Sequence, residues 1–263
     1  MTVATNSRQG LSESQRREYD EQGFVVLRGF FPAEAIASLR EETDRLLEEC
    51  GDLIDPCNLR CRYMPHFETG EPLFEVFDPV IDISQVCRQF ARDPWLLAVI
   101  ESIYGEPACL FKDKLIFKPC GARGYDLHQD IPQYWPGFPR SFLTVLIAID
   151  PTSRANGCTE VYAGYHRDFL MNDPATYMLP LELVDEERRT YLELEPGDIA
   201  IFHGLTPHRS EPNRSAQMRR NFFVSYNACS DGGDQRDEHY RQFRERMSQH
   251  RSAENPPPRL YFR

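Results

Sequence analysis

The chain has 263 residues, 41% hydrophobic, 12% aromatic and 27% charged, the makeup of a folded protein with enough apolar side chain for a real core. Its 41 acidic against 30 basic residues give a formal charge of −11, a field that repels phosphate backbones and anionic lipid. Nucleic acid and membrane surfaces are thereby excluded as default partners, although a local basic pocket remains compatible with a small anion.

The N-terminal residues carry no apolar run of signal-peptide type, and the longest apolar stretches, such as 142–149, are too short to span a bilayer. The expected setting is therefore cytoplasmic, with a small-molecule partner and a monomeric or homodimeric chain. The eight cysteines stand at 50, 57, 61, 87, 109, 120, 158 and 229. Only Cys57 and Cys61 are close, and no second close pair completes a zinc site, so reduced thiols are expected. A redox or metal role for Cys57 and Cys61 is the alternative.

In chain order, residues 11–22 predict a charged helix stopped by Gly23, and Phe24-Val25-Val26-Leu27 a short strand. After Phe31-Pro32 comes an amphipathic helix with Ile36, Leu39, Leu46 and Leu47 on one stripe. Residues 51–80 read as a long loop with one strand at most, and 83–104 as a helix ended by Gly105. From 109 the pattern changes to short strands at 109–118, 126–130, 142–150, 159–162, 191–195, 198–203 and 219–227, separated by Pro and Gly. Residues 234–247 are again helical, and the Pro-rich stretch from Asn255 is expected along the surface. The prediction is one domain over 1–263: a helical and insert region at about 11–105, a β core at about 109–228, and a C-terminal helix and tail at 229–263.

Three features of the β half carry chemistry. His128-Gln129-Asp130 stands at a strand end, where residues two apart share a face, so an imidazole and a carboxylate reach one ion. His208 follows the strand Ile199-Ala200-Ile201-Phe202. Two histidines and one carboxylate occupy one face of an octahedron and leave three positions open, the arrangement non-haem iron oxygenases use. Arg219 lies eleven residues past His208 at a strand start, where a buried guanidinium grips a carboxylate bidentately. His203 competes with His208 but closes an apolar run and reads as a hydrogen-bonded structural histidine. Arg220 competes with Arg219 and must face the opposite side of the strand. His66 and His166 read as satisfied or exposed histidines.

These residues, with Asn156-Gly157-Cys158, Ala163-Gly164-Tyr165-His166, Pro196-Gly197-Asp198 and the opening Gly23-Phe24-Val25-Val26-Leu27-Arg28-Gly29-Phe30-Phe31, resemble the phytanoyl-CoA dioxygenase family over roughly residues 15–230. The resemblance implies a mainly β fold with flanking helices, a double-stranded β-helix (jelly-roll, cupin-like). It implies His128, Asp130 and His208 as Fe(II) ligands, 2-oxoglutarate and O2 as co-substrates, and Arg219 as partner of the distal 2-oxoglutarate carboxylate. Lys114, Thr144 and Leu146 fall where the family lines the co-substrate pocket, and Glu160 falls at a framework position. The implied reaction is hydroxylation of an unactivated C–H bond with release of succinate and CO2. Halogenases of this type place a small residue at the carboxylate position, so Asp130 favours hydroxylation, desaturation or ring formation.

The loop after Asp130, with Tyr134, Trp135 and Arg140, and the irregular 55–77 region, with Arg60 and Arg62, are the expected substrate walls. Their basic residues, with Lys112 and Lys114, point to a small polar or anionic substrate or a secondary metabolite. Two other readings are a cupin-like metalloenzyme that does not use 2-oxoglutarate and a non-catalytic binding protein on the same fold.

Overall fold

The computed structural model describes residues 10–130, 139–170, 178–253 and 258–263. Helix α1 (Glu13–Gln22) begins at Ser12, whose hydroxyl accepts from Gln15 N while the Gln15 side chain accepts from Ser12 N. It ends at Gly23, whose φ of 83° lies in the left-handed region that favours glycine. Strand β1 (Phe24–Leu27) leads to α2 (Ala33–Glu48), which buries the predicted Ile36, Leu39 and Leu46. The expected loop at 51–80 holds two paired strands, β2 (Cys61–Pro65) and β3 (Pro72–Phe77).

The single helix expected over 83–104 is two, α3 (Gln85–Ala91) and α4 (Pro94–Tyr104). Pro94 disfavours helical backbone at Asp93, whose carboxylate instead caps α4 by accepting from Trp95 N and Leu96 N. The remaining strands are β4 (Ala108–Lys118), β5 (Tyr125–His128), β6 (Leu143–Ala148), β7 (Thr159–Tyr162), β8 (Arg189–Tyr191), β9 (Ile199–His203), β10 (His208–Ser210) and β11 (Arg219–Ala228). Helix α5 (Arg236–Ser252) follows. Strand β8 falls earlier than the predicted 191–195 because Leu192 O and Leu194 N are taken by the hydroxyl of Thr152 rather than by a strand. No helix among the described residues is long and apolar enough to cross a membrane.

All strand pairs are antiparallel and form two sheets, ordered β1-β9-β6-β11-β4-β3-β2 and β5-β10-β7-β8, the two layers of a jelly roll. Alternation along the larger sheet separates two cores. Phe222, Val224 and Tyr226 of β11 and Leu115 and Phe117 of β4 join Leu39, Leu46, Leu96 and Ile100 of the helices on the outer face. Phe223, Ile116, Leu146, Ala200 and Phe202 face inward against Val161 of the smaller sheet.

The cysteine expectation needs one correction. Cys109 and Cys229 are joined in a disulfide, while Cys50, Cys57, Cys61, Cys87, Cys120 and Cys158 are free. The register of β4 on β11 puts Cys109 opposite Asn227, two residues from Cys229, a proximity that spacing in sequence does not reveal. Cys61 is buried and its thiol meets Leu53 O at 3.1 Å.

Helix α5 is clamped over the barrel mouth by Asp113, a fully buried carboxylate. Its Oδ1 accepts from Arg236 Nε and Nη2 at 2.9 and 2.7 Å, and its Oδ2 from the amides of Val80 and Ile81. Removing one member of a buried ion pair leaves the other charge uncompensated. Asp113→Ala is expected to cost about 3–5 kcal/mol of stability, read as a lower urea midpoint.

Candidate active site

Strands β5 and β10 are neighbours, and their register sets His128 directly opposite His208 with ring centroids 4.1 Å apart. Strand β5 ends at His128, so Asp130 lies just beyond it rather than on it, yet the alternation holds. Gln129 turns the other way and is buried, donating to Asp168 O and Leu205 O and accepting from Leu170 N. Asp130 turns back, with Oδ2 4.0 Å from His208 Nε2. One ligand atom from each of His128, Asp130 and His208 lies within 4.8 Å of the others, the only such group among the described residues.

Both rings are oriented by the carbonyl two residues earlier: His128 Nδ1 lies 2.7 Å from Asp126 O and His208 Nδ1 3.0 Å from Thr206 O. A carbonyl only accepts, so each Nδ1 carries the proton and each Nε2 lone pair is left for an ion. Asp130 Oδ2 accepts from Thr144 Oγ1 at 3.1 Å, and that hydroxyl is 3.2 Å from Ser225 Oγ. Burial lowers the pKa of His128, and burial together with His128 lowers that of His208 to about 3. For Asp130 burial acts upward, but His208, Lys114 and His128 outweigh it and bring the carboxyl to about 2. Two neutral imidazoles and an ionised carboxylate are the protonation states in which this donor set holds Fe(II), so the residues fit the metal.

The rival histidine, His203, is committed elsewhere. Its Nδ1 accepts from Leu205 N at 3.0 Å, which leaves Nε2 to donate to Ser141 Oγ at 3.0 Å. Arg219 faces the interior and is buried, donating from Nη2 to Gly157 O at 2.8 Å, while its Nε is buried with no acceptor among the described residues. Arg220 faces outward, where Asp150 and Asp44 bind it. Gly157, with φ 66°, has no room for a Cβ, which would lie 2.2 Å from Glu211 O and 2.8 Å from Lys118 Nζ. Glu160 accepts from Arg209 Nε at 2.9 Å and keeps to the framework.

Lys114 lines two small cavities of about 40 Å³ beside the ligands, one with Tyr125, His128, His208 and Phe223, the other with Asp130, Thr144 and Ser225. Thr144 reaches the site through Asp130, and Leu146 is fully buried in the inner apolar core. A larger cavity of about 420 Å³ opens on His128 and Asp130 and is walled by Arg62, Lys112 and the α5 residues His239, Phe243 and Arg246.

Of the other expected wall residues, the two that are described line none of these cavities. Arg60 is buried, donating to Pro79 O and Arg263 O, with its guanidinium 4.4 Å from the Phe262 ring. It fastens the segment 261–263. Arg140 is 90% exposed at the side chain and pairs with Asp231. Tyr134 and Trp135 fall outside the described residues.

Sequence reasoning missed Lys118, Tyr125, Glu75 and the α5 wall. Lys118 carried a signal, because Lys112, Lys114 and Lys118 stand at even spacing on one strand face, whereas the others depend on tertiary placement.

Residues 19–221 match the profile of the family described as Phytanoyl-CoA dioxygenase (PhyH). A 2-aminoethylphosphonate dioxygenase from an uncultured bacterium (HF130_AEPn_1) is 27% identical over 242 residues, covering 90% of this chain and 88% of its own. A methylphosphonate hydroxylase of Gimesia maris is 28% identical over 243 residues, covering 91% and 89%. Among solved structures, EctD from S. alaskensis with 2-oxoglutarate and 5-hydroxyectoine superposes with a TM-score of 0.70 at 22% identity, covering 88% of this chain and 82% of that one.

Two outcomes follow from the geometry. Thr144→Val removes the only hydroxyl bonded to Asp130 among the described residues. It is expected to weaken Fe(II) binding about 10–100-fold in chelator competition, with the fold intact.

The second outcome concerns pH. Buried histidines whose folded values lie below the unfolded value are neutral in the native state and take up protons on unfolding. His203 (about 4), His208 (about 3) and His239 (about 3) are all held down by burial. The metal-free protein is therefore expected to lose stability as pH falls below about 6.5 towards 4, by about 1.4 kcal/mol per pH unit for each such histidine. Urea midpoints measured from pH 7.5 to 4.5 check this.

Proposed function

The chain belongs to the phytanoyl-CoA dioxygenase family, and from that premise we propose that it hydroxylates an unactivated C–H bond of a small metabolite bearing a strongly anionic group. It is a dioxygenase that uses Fe(II), 2-oxoglutarate and O2. Bound Fe(II) supplies the activation of dioxygen by which one oxygen atom enters the C–H bond and the other enters the succinate formed from 2-oxoglutarate, with loss of CO2.

The protein's part is geometric and electrostatic. His128, Asp130 and His208 hold the ion, and Thr144 keeps the Asp130 carboxylate turned towards it. Arg219 receives the distal carboxylate of 2-oxoglutarate, a role supported by its burial, its Nε without a partner among the described residues, and the second buried cation beside it, Lys118. Lys114, between the two small cavities, lies along the same co-substrate, and Phe223 and Ile116 keep water from it.

The observation that carries the substrate reading is the 420 Å³ cavity beside His128 and Asp130. Two cations on its wall, Arg62 and Lys112, share one buried carboxylate, Asp78, with Lys112 Nζ 3.5 Å from Asp78 Oδ2. Burial lowers the Lys112 amine to about 8, against the pull of Asp78. Two cations on one anion leave a positive surplus that an oxyanion entering the cavity neutralises. Two relatives bear the names of enzymes acting on phosphonates, which supports a phosphonate as the first class to try.

Succinate formation with Fe(II), 2-oxoglutarate and a panel of small phosphonates and matched carboxylates tests the reading. Turnover is expected with the phosphonates, and its absence across the panel would favour a binding protein. Arg62→Gln is expected to raise the substrate KM about 10–100-fold with kcat little changed. Arg219→Ala is expected to weaken 2-oxoglutarate binding by about 30-fold or more, because a buried carboxylate loses its charged partner. A cupin-like enzyme independent of 2-oxoglutarate would be indifferent to that change.

A further inference from the structure

One buried acid has no part in that scheme. The β2–β3 register pairs Arg62 with Val76 and Tyr63 with Phe74, so Glu75 is the extra residue of a bulge. A bulge re-aims a side chain, and this one carries the Glu75 carboxyl into the interior, where it is fully buried. Its Oε2 accepts from Tyr125 Oη at 2.8 Å. Tyr125 in turn lines the small cavity with His128, His208 and Lys114. Its Oε1 is buried and has no hydrogen-bond partner among the described residues, as is true of Arg219 Nε.

The charged and titratable groups facing Glu75 come from three strands: Lys114 and Lys118 of β4, Arg219 of β11 and Tyr125 of β5. Among the described residues no cation pairs directly with it. Burial raises its carboxyl above the ordinary range, and the tyrosine and the cations only partly oppose this.

A carboxylate seated on Arg219 therefore enters a region that already holds a buried acid. Two ionised carboxylates side by side repel, whereas one protonated partner turns the repulsion into a hydrogen bond. We propose that Glu75 is the proton carrier of the co-substrate pocket. When 2-oxoglutarate binds as its dianion, Glu75 takes one proton from solvent and donates it through Oε1 to the distal carboxylate beside Arg219. No other bond is made or broken. This inference rests on the reading of Arg219 as the distal-carboxylate residue.

Lys118 is the other group able to take a proton, since burial and Arg219 lower its amine to about 7. Its Nζ, however, already faces three acceptors, Ser210 Oγ at 2.9 Å, Glu211 O at 2.5 Å and Gly157 O at 3.4 Å, which an ammonium satisfies and an amine does not.

The test is calorimetric titration of the anaerobic Fe(II) enzyme with 2-oxoglutarate from pH 6 to 9, in buffers of different ionisation heat. On the alkaline side, uptake approaching one proton and an affinity loss of about tenfold per pH unit are expected. Glu75→Gln is expected to bind 2-oxoglutarate with a flat pH profile and no uptake. Tyr125→Phe removes a donor that favours the ionised acid, so the alkaline weakening is expected to begin at higher pH. Thermal melts show whether each variant folds, and the tyrosine variant keeps the test alive if Glu75→Gln does not. Wild-type binding that is independent of pH and buffer overturns the proposal, as does a proton still taken up by Glu75→Gln, which would place it on Lys118. 2-Oxoglutarate binding that is unchanged by Arg219→Ala overturns instead the assignment of Arg219 on which it rests.

Discussion

The pairing of β5 with β10 is the constraint on which the site depends. Both strands are short, yet their register sets His128 against His208, and a slip of one residue would turn one ring out of the barrel. Such short strands do not hold a register by their own hydrogen bonds. The register is pinned from the other sheet by Lys118, whose Nζ donates to Ser210 Oγ and Glu211 O at the end of β10, while Ser210 Oγ also accepts from Tyr125 N at the start of β5. A buried charge is costly, but here one ammonium fastens both ligand-bearing strands to the larger sheet.

The same sheet face that supplies Lys118 grades from apolar to cationic. Towards β6 and β9 it carries Leu146, Ala200 and Phe202; along β4 and β11 it carries Lys112, Lys114, Lys118 and Arg219. His128, Asp130 and His208, the proposed metal ligands, stand over the boundary. Ionised Asp130 is the anion among the ligands, and the basic side chains around it help to keep it ionised. The overall charge of −11 belongs to the surface and says nothing of this interior.

What the sequence made legible was whatever depends on local periodicity. The two-residue step from His128 to Asp130, the choice of Arg219 over its outward neighbour Arg220, and the structural bonding of His203 all follow from alternation and flanking residues. What it hid depends on tertiary register. Arg60 and Arg62 look equivalent in sequence, yet one is buried under Arg263 and the other walls the large cavity. Glu75 is turned inward by a bulge that no periodicity announces, and α5 is held at the site by tertiary bonds, Asp113 to Arg236 and Tyr240 to Asp78. The Cys109–Cys229 bridge is likewise a product of the β4–β11 pairing.

The buried charges fall into two groups on either side of the ligands. On one side Lys118 and Arg219 face Glu75; on the other Arg62 and Lys112 face Asp78. Lys114 acts on both acids, so the cations are alike in number, but the two acids differ. Asp78 is paired at close range and held well below the usual carboxylate range. Glu75 has no ion pair among the described residues and is raised by burial. A fixed anion leaves a fixed positive surplus, which recognises charge and is indifferent to pH so long as the Lys112 amine stays protonated. A titratable acid lets the surplus change by one proton, so the pocket can match a dianion without keeping excess charge buried. On the functions proposed above, recognition of an anionic substrate falls to the Asp78 side and proton-linked capture of the co-substrate to the Glu75 side, with the three proposed ligands shared between them.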